Sequence, residues 1–234
     1  MIVTRGLIKK IGSKQILKGV DLEIAPGEFV TCFGPNGAGK STTMKILAML
    51  SKPSGGQVLI DGQDTQEQGA KLRRKIGVIS HNSFLYDNLT ARENLEFYGR
   101  MYEVPDVKRR INQLLDEIGL SYAGGEPVHS FSRGMQQRLA IARALVHDPP
   151  ILLMDEPYTG LDEVAKGVLN TILKQLVQSK HTVFLITHDF DQGLDQSDQA
   201  LILVDGRIVY TCNPRGLKRE DFRRRYLEFV GGVK

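Results

Sequence analysis

The stretch from Glu28 to Leu50, "EFVTCFGPNGAGKSTTMKILAML", constrains the fold more than any other part of the chain. "FVTCF" is apolar and β-prone, as expected of a buried strand. "GPNGAGKST" follows at once and fits G-x-x-x-x-G-K-[ST] at Gly34, Gly39, Lys40 and Ser41. "TTMKILAML" then has helical spacing, with Met44, Leu47, Ala48 and Leu50 as its apolar positions. Strand, glycine-rich loop and helix in that order predict a phosphate-binding loop in an α/β protein. Glycines allow backbone N–H groups to turn toward an anion, and the helix N-terminus adds its positive end. Lys40 is expected on the β- and γ-phosphates, Ser41 on Mg²⁺, and Thr42 as an added phosphate contact.

Two further segments carry acids and a histidine at expected strand ends. In "PPILLMDEPYTGLD", Ile151 to Met154 is a continuous apolar run, as for a strand covered on both faces. Asp155 falls at its C-terminal end, where α/β sheets place ligands, and is expected to hold Mg²⁺. Glu156 is the candidate general base. In "HTVFLITHDF", His188 follows the apolar run Val183 to Ile186 and is a candidate for hydrogen bonding to a γ-phosphate or the attacking water.

The rest of the chain supplies context. With 234 residues, 41% hydrophobic and 25% charged, it can bury a sizeable core. A net charge of +4 does not argue for nucleic acid. Cys32 and Cys212 form no disulfide framework or zinc spacing; Cys32 reads as a buried small hydrophobe. "MIVTRGLIKK" has no apolar core of a signal peptide, and no apolar run approaches eighteen residues, so no membrane span is expected. Alternation in "ILKGVDLEI" predicts an antiparallel strand layer, and "SGGQVLIDGQD" reads as turn, strand, turn. Thr90 and Glu93 form a capping box before a helix with Ala91, Leu95, Tyr98 and Tyr102 on one face. A second helix starts at Asp106, buries Val107, Ile111, Leu114, Leu115 and Ile118, and stops at Gly119. The basic "RGLKREDFRRRYLEF" predicts a solvated helix, with anionic lipid or an acidic partner surface as the alternative. "HNSFLYDNLT" is either an exposed partner patch or a loop anchored in the local core.

Together these pieces resemble the nucleotide-binding domains of ATP-binding cassette (ABC) transporters over nearly the whole chain. The resemblance implies a P-loop NTPase core (1–83 and 147–234) with an antiparallel β subdomain and an inserted α-helical subdomain (84–146). It implies ATP and Mg²⁺ as cofactors, with Gly34, Pro35, Asn36, Gly37, Ala38, Gly39, Lys40, Ser41 and Thr42 on the phosphates. "SRGMQ" (Ser132, Arg133, Gly134, Met135, Gln136) is similar to the family signature, which contacts ATP held by a second copy. Asp155 and Glu156 match the Walker B acid and catalytic glutamate, His188 the switch histidine, and Asp162 of "TGLD" a D-loop acid bridging two subunits. The implied partners are a second copy in the ATP-bound state and integral membrane subunits, which would hold the chain at the cytoplasmic face of the membrane.

Three positions depart from the family pattern. Ile11 stands where an aromatic ring often stacks on adenine. His81 stands where the Q-loop glutamine is expected, with Asn82 as an alternative. Arg133 replaces the second signature residue, its side chain directed either to solvent or to nucleotide. One P-loop and one signature point to a separate transporter subunit. Within the family, "SHNSFLYDNLT" and "SRGMQQR" are most similar to the haem-exporter ATPases of cytochrome c maturation. Other exporters, for drugs, lipids or polysaccharide, and a soluble regulatory ATPase are the alternatives.

Overall fold

The computed structural model describes residues 1–80 and 82–231. Two sheets and a helical layer make up the fold. Strands β1 (Ile2–Ile11) and β2 (Lys14–Ile24) form a hairpin running from the Ile2–Ile24 pair to the Ile11–Lys14 pair. β4 (Gly55–Ile60) and the two-residue β5 (Gln63–Asp64) extend it into an antiparallel sheet of order β2-β1-β4-β5. The predicted alternation holds for Val20, Leu22 and Ile24, which point inward with Asp21 and Glu23 outward; before them Leu17 rather than Ile16 is buried, because the pairing shifts register at Gly19 (φ 86°).

The second sheet has the order β10-β9-β3-β8-β7-β6. Its strands are β3 (Phe29–Phe33), β6 (Ile76–Ile79), β7 (Ile151–Asp155), β8 (Thr182–Ile186), β9 (Gln199–Val204) and β10 (Arg207–Cys212). All neighbours are parallel except β10, which runs antiparallel on β9 at the edge. β3, β7 and β8 are buried at every residue, which explains their unbroken apolar runs. Cys32 lies within this layer, and burial pushes its thiol up to about 12.

One hydrophobic core fills the space between the two sheets and includes α1 (Lys40–Leu47). A second lies on the other face, beneath α3 (Ala91–Met101), α4 (Val107–Glu117), α5 (Arg133–Leu145) and α6 (Glu163–Gln178). It is continuous with Leu152, Met154, Val183 and Leu185 of the sheet, so the helical segment has no core of its own. α2 (Thr65–Arg73) sits at the edge of the antiparallel sheet.

Local signals are realised in detail, with three differences. The Thr90–Glu93 capping box is formed from both sides, and Gly119 ends α4's segment at φ 65°. The helix after the P-loop stops at Leu47, however, not Leu50. Met49 adopts a left-handed conformation (φ 56°), the Leu50 N–H returns to the Lys45 carbonyl, and Leu50 is left exposed. Asp106 precedes α4 rather than starting it, also left-handed (φ 44°) and without a side-chain cap. The C-terminal helix α8 (Arg219–Gly231) is not simply solvated: Phe222 is completely buried, with Tyr226 and Phe229 packed beside it.

Close packing of α5 on the sheet runs through Gly77. A Cβ there would lie 2.5 Å from the Ala144 carbonyl oxygen and 2.8 Å from both Leu152 and Pro149. His147, just past α5, stacks on Tyr102 with ring centroids 3.8 Å apart and donates from Nε2 to the Ile76 carbonyl at 3.2 Å. Its Nδ1 is buried without a partner, and burial pushes the imidazole down to about 4. Gly77→Ala should therefore lower the unfolding free energy by about 1–3 kcal/mol in urea titrations. The unfolded chain protonates His147 near its ordinary value of about 6.5, while the folded chain resists until about 4. Stability from this group is therefore complete above pH ~6.5 and is lost as pH falls toward ~4. Urea midpoints compared across that window should show the wild type losing stability relative to His147→Phe as the pH drops; a constant difference would contradict this.

Candidate active site

The site is assembled by strand register. Cys32 of β3 is paired with Ile186 of β8, Ile186 with Asp155 of β7, and Met154 of β7 with Ile79 of β6. Because these strands are parallel, the residues following each reach one edge of the sheet together. Those residues are Gly34, Thr187–His188, Asp155–Glu156 and Ser80.

The P-loop lies between β3 and α1. Gly34 has φ 155°, and a Cβ there would sit 2.1 Å from the Leu203 carbonyl oxygen of β9. At Gly39, φ 107°, a Cβ would meet Leu17 at 2.6 Å. These two glycines let the loop seat directly on neighbouring chain. Asn36 and Gly37 face solvent, Pro35 is half-buried, and Ala38 is buried. Lys40 turns its Nζ back to the carbonyl oxygens of Gly34 at 2.7 Å and Pro35 at 3.0 Å. Its ammonium therefore occupies the loop, held by two neutral acceptors that an anion would outcompete. α1 begins without an acidic side chain in its first turn and without a side-chain cap, so its N-terminal N–H groups remain available to an anion. Ser41 is exposed in that turn and Thr42 is half-buried.

Asp155 is only 5% exposed at the end of β7. Asp155 and Lys40 both act on Cys32: after burial, the lysine's positive charge opposes the rise in the thiol's pKa and the aspartate's negative charge adds to it. A buried carboxylate and a first-turn hydroxyl are a hard-oxygen donor set that fits Mg²⁺. Among the described residues no group of three or more metal-ligating side chains exists, so Ser41 and Asp155 would share Mg²⁺ with phosphate oxygens and water.

Glu156 is held in a left-handed conformation (φ 50°), with its N–H bonded to the Ile186 carbonyl at 2.9 Å. Such strain in a non-glycine residue is retained where the surroundings enforce it. The turn aims the carboxylate at His188, whose Nδ1 lies 2.8 Å from Glu156 Oε2. Glu156 is largely enclosed and His188 largely exposed, at 17% and 77% side-chain exposure. The pair thus joins an enclosed carboxylate to an exposed imidazole.

A cleft of ≈ 260 Å³ opens beside Glu156, lined by Ser80, Ser83, Arg133, Gln136, Gln137 and Thr159–Gly160. Arg133 faces this cleft, although its residue is largely exposed. Ser132 caps α5 by accepting from the Met135 N–H at 3.2 Å and is otherwise exposed. Gln136 reaches back toward the Val128 and Phe131 carbonyls. Asp162 caps α6 through the Ala165 N–H at 2.8 Å, and its other oxygen is 3.3 Å from where a Cβ on Gly134 would be. Gly134 and Asp162 thus meet within one chain. Ile11 ends β1 at 60% exposure, an uncovered apolar side chain at the hairpin tip. His81 lies outside the described residues; its neighbour Ser80 donates to the Asn82 carbonyl at 3.1 Å.

Sequence reasoning did not single out Arg143. It is 8% exposed, donates to the Val78 carbonyl at 2.7 Å, and lies over the Phe84 and Tyr98 rings at 5.3 and 5.7 Å. An arginine among alanines in "AIARAL" was the available signal. A cavity of ≈ 510 Å³ between α6, α7 (Phe190–Asp195) and residues 214–219 contains none of the predicted site residues.

Residues 17–159 match the family profile described as "ABC transporter". The chain is 36% identical over 226 residues to the glycine betaine/carnitine/choline transport ATP-binding protein OpuCA of Bacillus subtilis, covering 94% of this chain. It spans only 59% of OpuCA's length. The ABC transporter ATP-binding protein NatA of the same organism is 38% identical over 197 residues, 83% of this chain and 80% of NatA. Among solved structures, the dimeric post-hydrolysis state of the ATP-binding cassette MJ0796 bound to ADP and Pi superposes with a TM-score of 0.85 at 33% identity. That likeness covers 93% of this chain and 100% of MJ0796. With the fold, the P-loop and these matches in agreement, the chain belongs to the ATP-binding subunits and domains of the ABC transporter family.

Proposed function

We propose that this chain binds and hydrolyses ATP and couples the reaction to transport through separate membrane subunits. The observation that carries the reading is the convergence of Lys40, Asp155, Glu156 and His188 at one edge of the parallel sheet. The triphosphate would draw Lys40 from the Gly34 and Pro35 carbonyls, with Gly37, Gly39 and the α1 N-terminus enclosing the β- and γ-phosphates. Mg²⁺, held by Ser41 and Asp155, would supply charge neutralisation on the phosphate oxygens. Glu156 would accept a proton from the attacking water as its oxygen bonds to the γ-phosphorus and the bond to the β–γ bridging oxygen breaks. His188, hydrogen-bonded to Glu156, would steady the base and reach the γ-phosphate.

We infer that two copies act head to tail. Ser132 and the start of α5 are exposed and would close over the γ-phosphate on the other copy, with Asp162 at the joint. The dimeric state of MJ0796 supports this arrangement. The membrane partners would dock where Phe84, Tyr86, Phe97 and Met101 are exposed around a ≈ 160 Å³ pocket lined by Phe84, Tyr98, Tyr102 and Arg143. Among the described residues no helix is long and apolar enough to cross a membrane, which fits a chain attached through such subunits. The finer assignment, haem export in cytochrome c maturation, rests on the resemblance of "SHNSFLYDNLT" and "SRGMQQR" alone. OpuCA is named for glycine betaine, carnitine and choline transport and NatA for no haem cargo, so these relatives lend that finer assignment no support.

Lys40→Ala should abolish measurable ATP turnover, a loss of at least about a hundredfold in a phosphate-release assay; full turnover would refute the site. Glu156→Gln should still bind ATP, turn over at least about a hundredfold more slowly, and accumulate as a dimer on a sizing column with saturating Mg-ATP. A monomer under those conditions would contradict the head-to-tail pair.

A further inference from the structure

Helix α7, which follows His188, is six residues long. A helix of that length is not held by its own hydrogen bonds, so contacts from outside set its attitude. Asp189 caps it, accepting from the Asp191 and Gln192 N–H groups at 2.9 and 3.1 Å. Beneath it, the Thr31 hydroxyl donates to the Gly193 carbonyl at 2.8 Å. Gly193 lies so close to Phe33 that a Cβ would meet that ring at 2.5 Å.

The outer side is held by α8. Arg219 spreads one guanidinium over two carboxylates of α7, Nη1 to Asp191 Oδ1 at 2.7 Å and Nη2 to Asp195 Oδ1 at 2.5 Å. One planar fork bridging two acids four residues apart fixes both position and rotation, which a lysine cannot do. Phe222 of α8, completely buried, lies 5.0 Å from Phe33 and 5.6 Å from Phe190; Tyr226 lies 5.1 Å from Phe190. Phe33 immediately precedes Gly34 of the P-loop, and Phe190 comes two residues after His188. One ring cluster and one ionic fork thus join the end of β3, the helix behind His188 and the C-terminal helix.

We propose that α8 positions His188: Arg219 and Phe222 set the attitude of α7, and thereby hold His188 Nδ1 on Glu156 Oε2. Arg219 and Phe222 are positioning residues, and the inference rests on the reading of Glu156 and His188 given above. An element that only covered apolar surface would change the amount of folded protein; a positioning element changes turnover per folded molecule.

The test is a double-mutant cycle on the full chain, with steady-state ATPase corrected for folded fraction. Arg219→Gln should lower kcat by about tenfold with KM for Mg-ATP within about twofold. In a His188→Ala background the same substitution should have no further effect. Arg219→Gln turnover equal to the wild type, beside a slow His188→Ala, would overturn the proposal while leaving the catalytic reading intact. Losses that multiply in the double variant, or that track only the folded fraction, would also overturn it. A fully active His188→Ala would remove the catalytic reading and this proposal with it. Should Arg219→Gln fail to fold, the pair Asp191→Asn and Asp195→Asn removes the fork from the α7 side and is read by the same outcomes.

Discussion

The register of three parallel strands is the constraint on which everything functional depends. β3, β8 and β7 are buried on both faces, so a slip of one residue would misalign every chain end at the sheet's edge. In register, the Ile186–Asp155 and Cys32–Ile186 pairs bring the P-loop, the acids and His188 together without any loop reaching far. The apolar runs are thus the reason the polar residues after them can be held accurately. The strained φ of Glu156 is tolerated for the same reason, since its N–H is tied to the next strand.

What the sequence made legible was whatever is coded locally. The P-loop is a contiguous motif whose residues act through backbone geometry, so its strand, loop and helix could be read directly. The same is true of the Thr90–Glu93 box, Gly119, and the acid following Ile151–Met154. Contacts between distant segments were not legible. Nothing near Gly134 announces that Asp162 lies against it, and nothing near Arg143 announces two aromatic rings and the Val78 carbonyl. The C-terminal helix reads as solvated because its arginines outnumber its rings, yet Phe222 and Tyr226 anchor it in a cluster with Phe33 and Phe190. The stop of α1 at Leu47 depends on a left-handed Met49, a conformation that no propensity scale assigns to methionine.

The helical segment shares its core with the sheet, so α5 transmits position rather than floating above the site. Its first turn carries Arg133, Gly134 and Met135, its last turn carries Arg143 toward the aromatic patch, and the cleft beside Glu156 lies along its start. A partner pressing on Phe84 and Tyr98 would therefore act on the same helix that presents Ser132. On the opposite side, α8 acts on α7 through Arg219.

The most direct measurement is a crystal structure of the Glu156→Gln protein with Mg-ATP. The account predicts that Lys40 Nζ leaves the Gly34 and Pro35 carbonyls for the β- and γ-phosphates, with Ser41 and Asp155 at the metal ion and Ser132 of a second copy over the γ-phosphate. Lys40 retained on both carbonyls, with the nucleotide bound elsewhere, would contradict it.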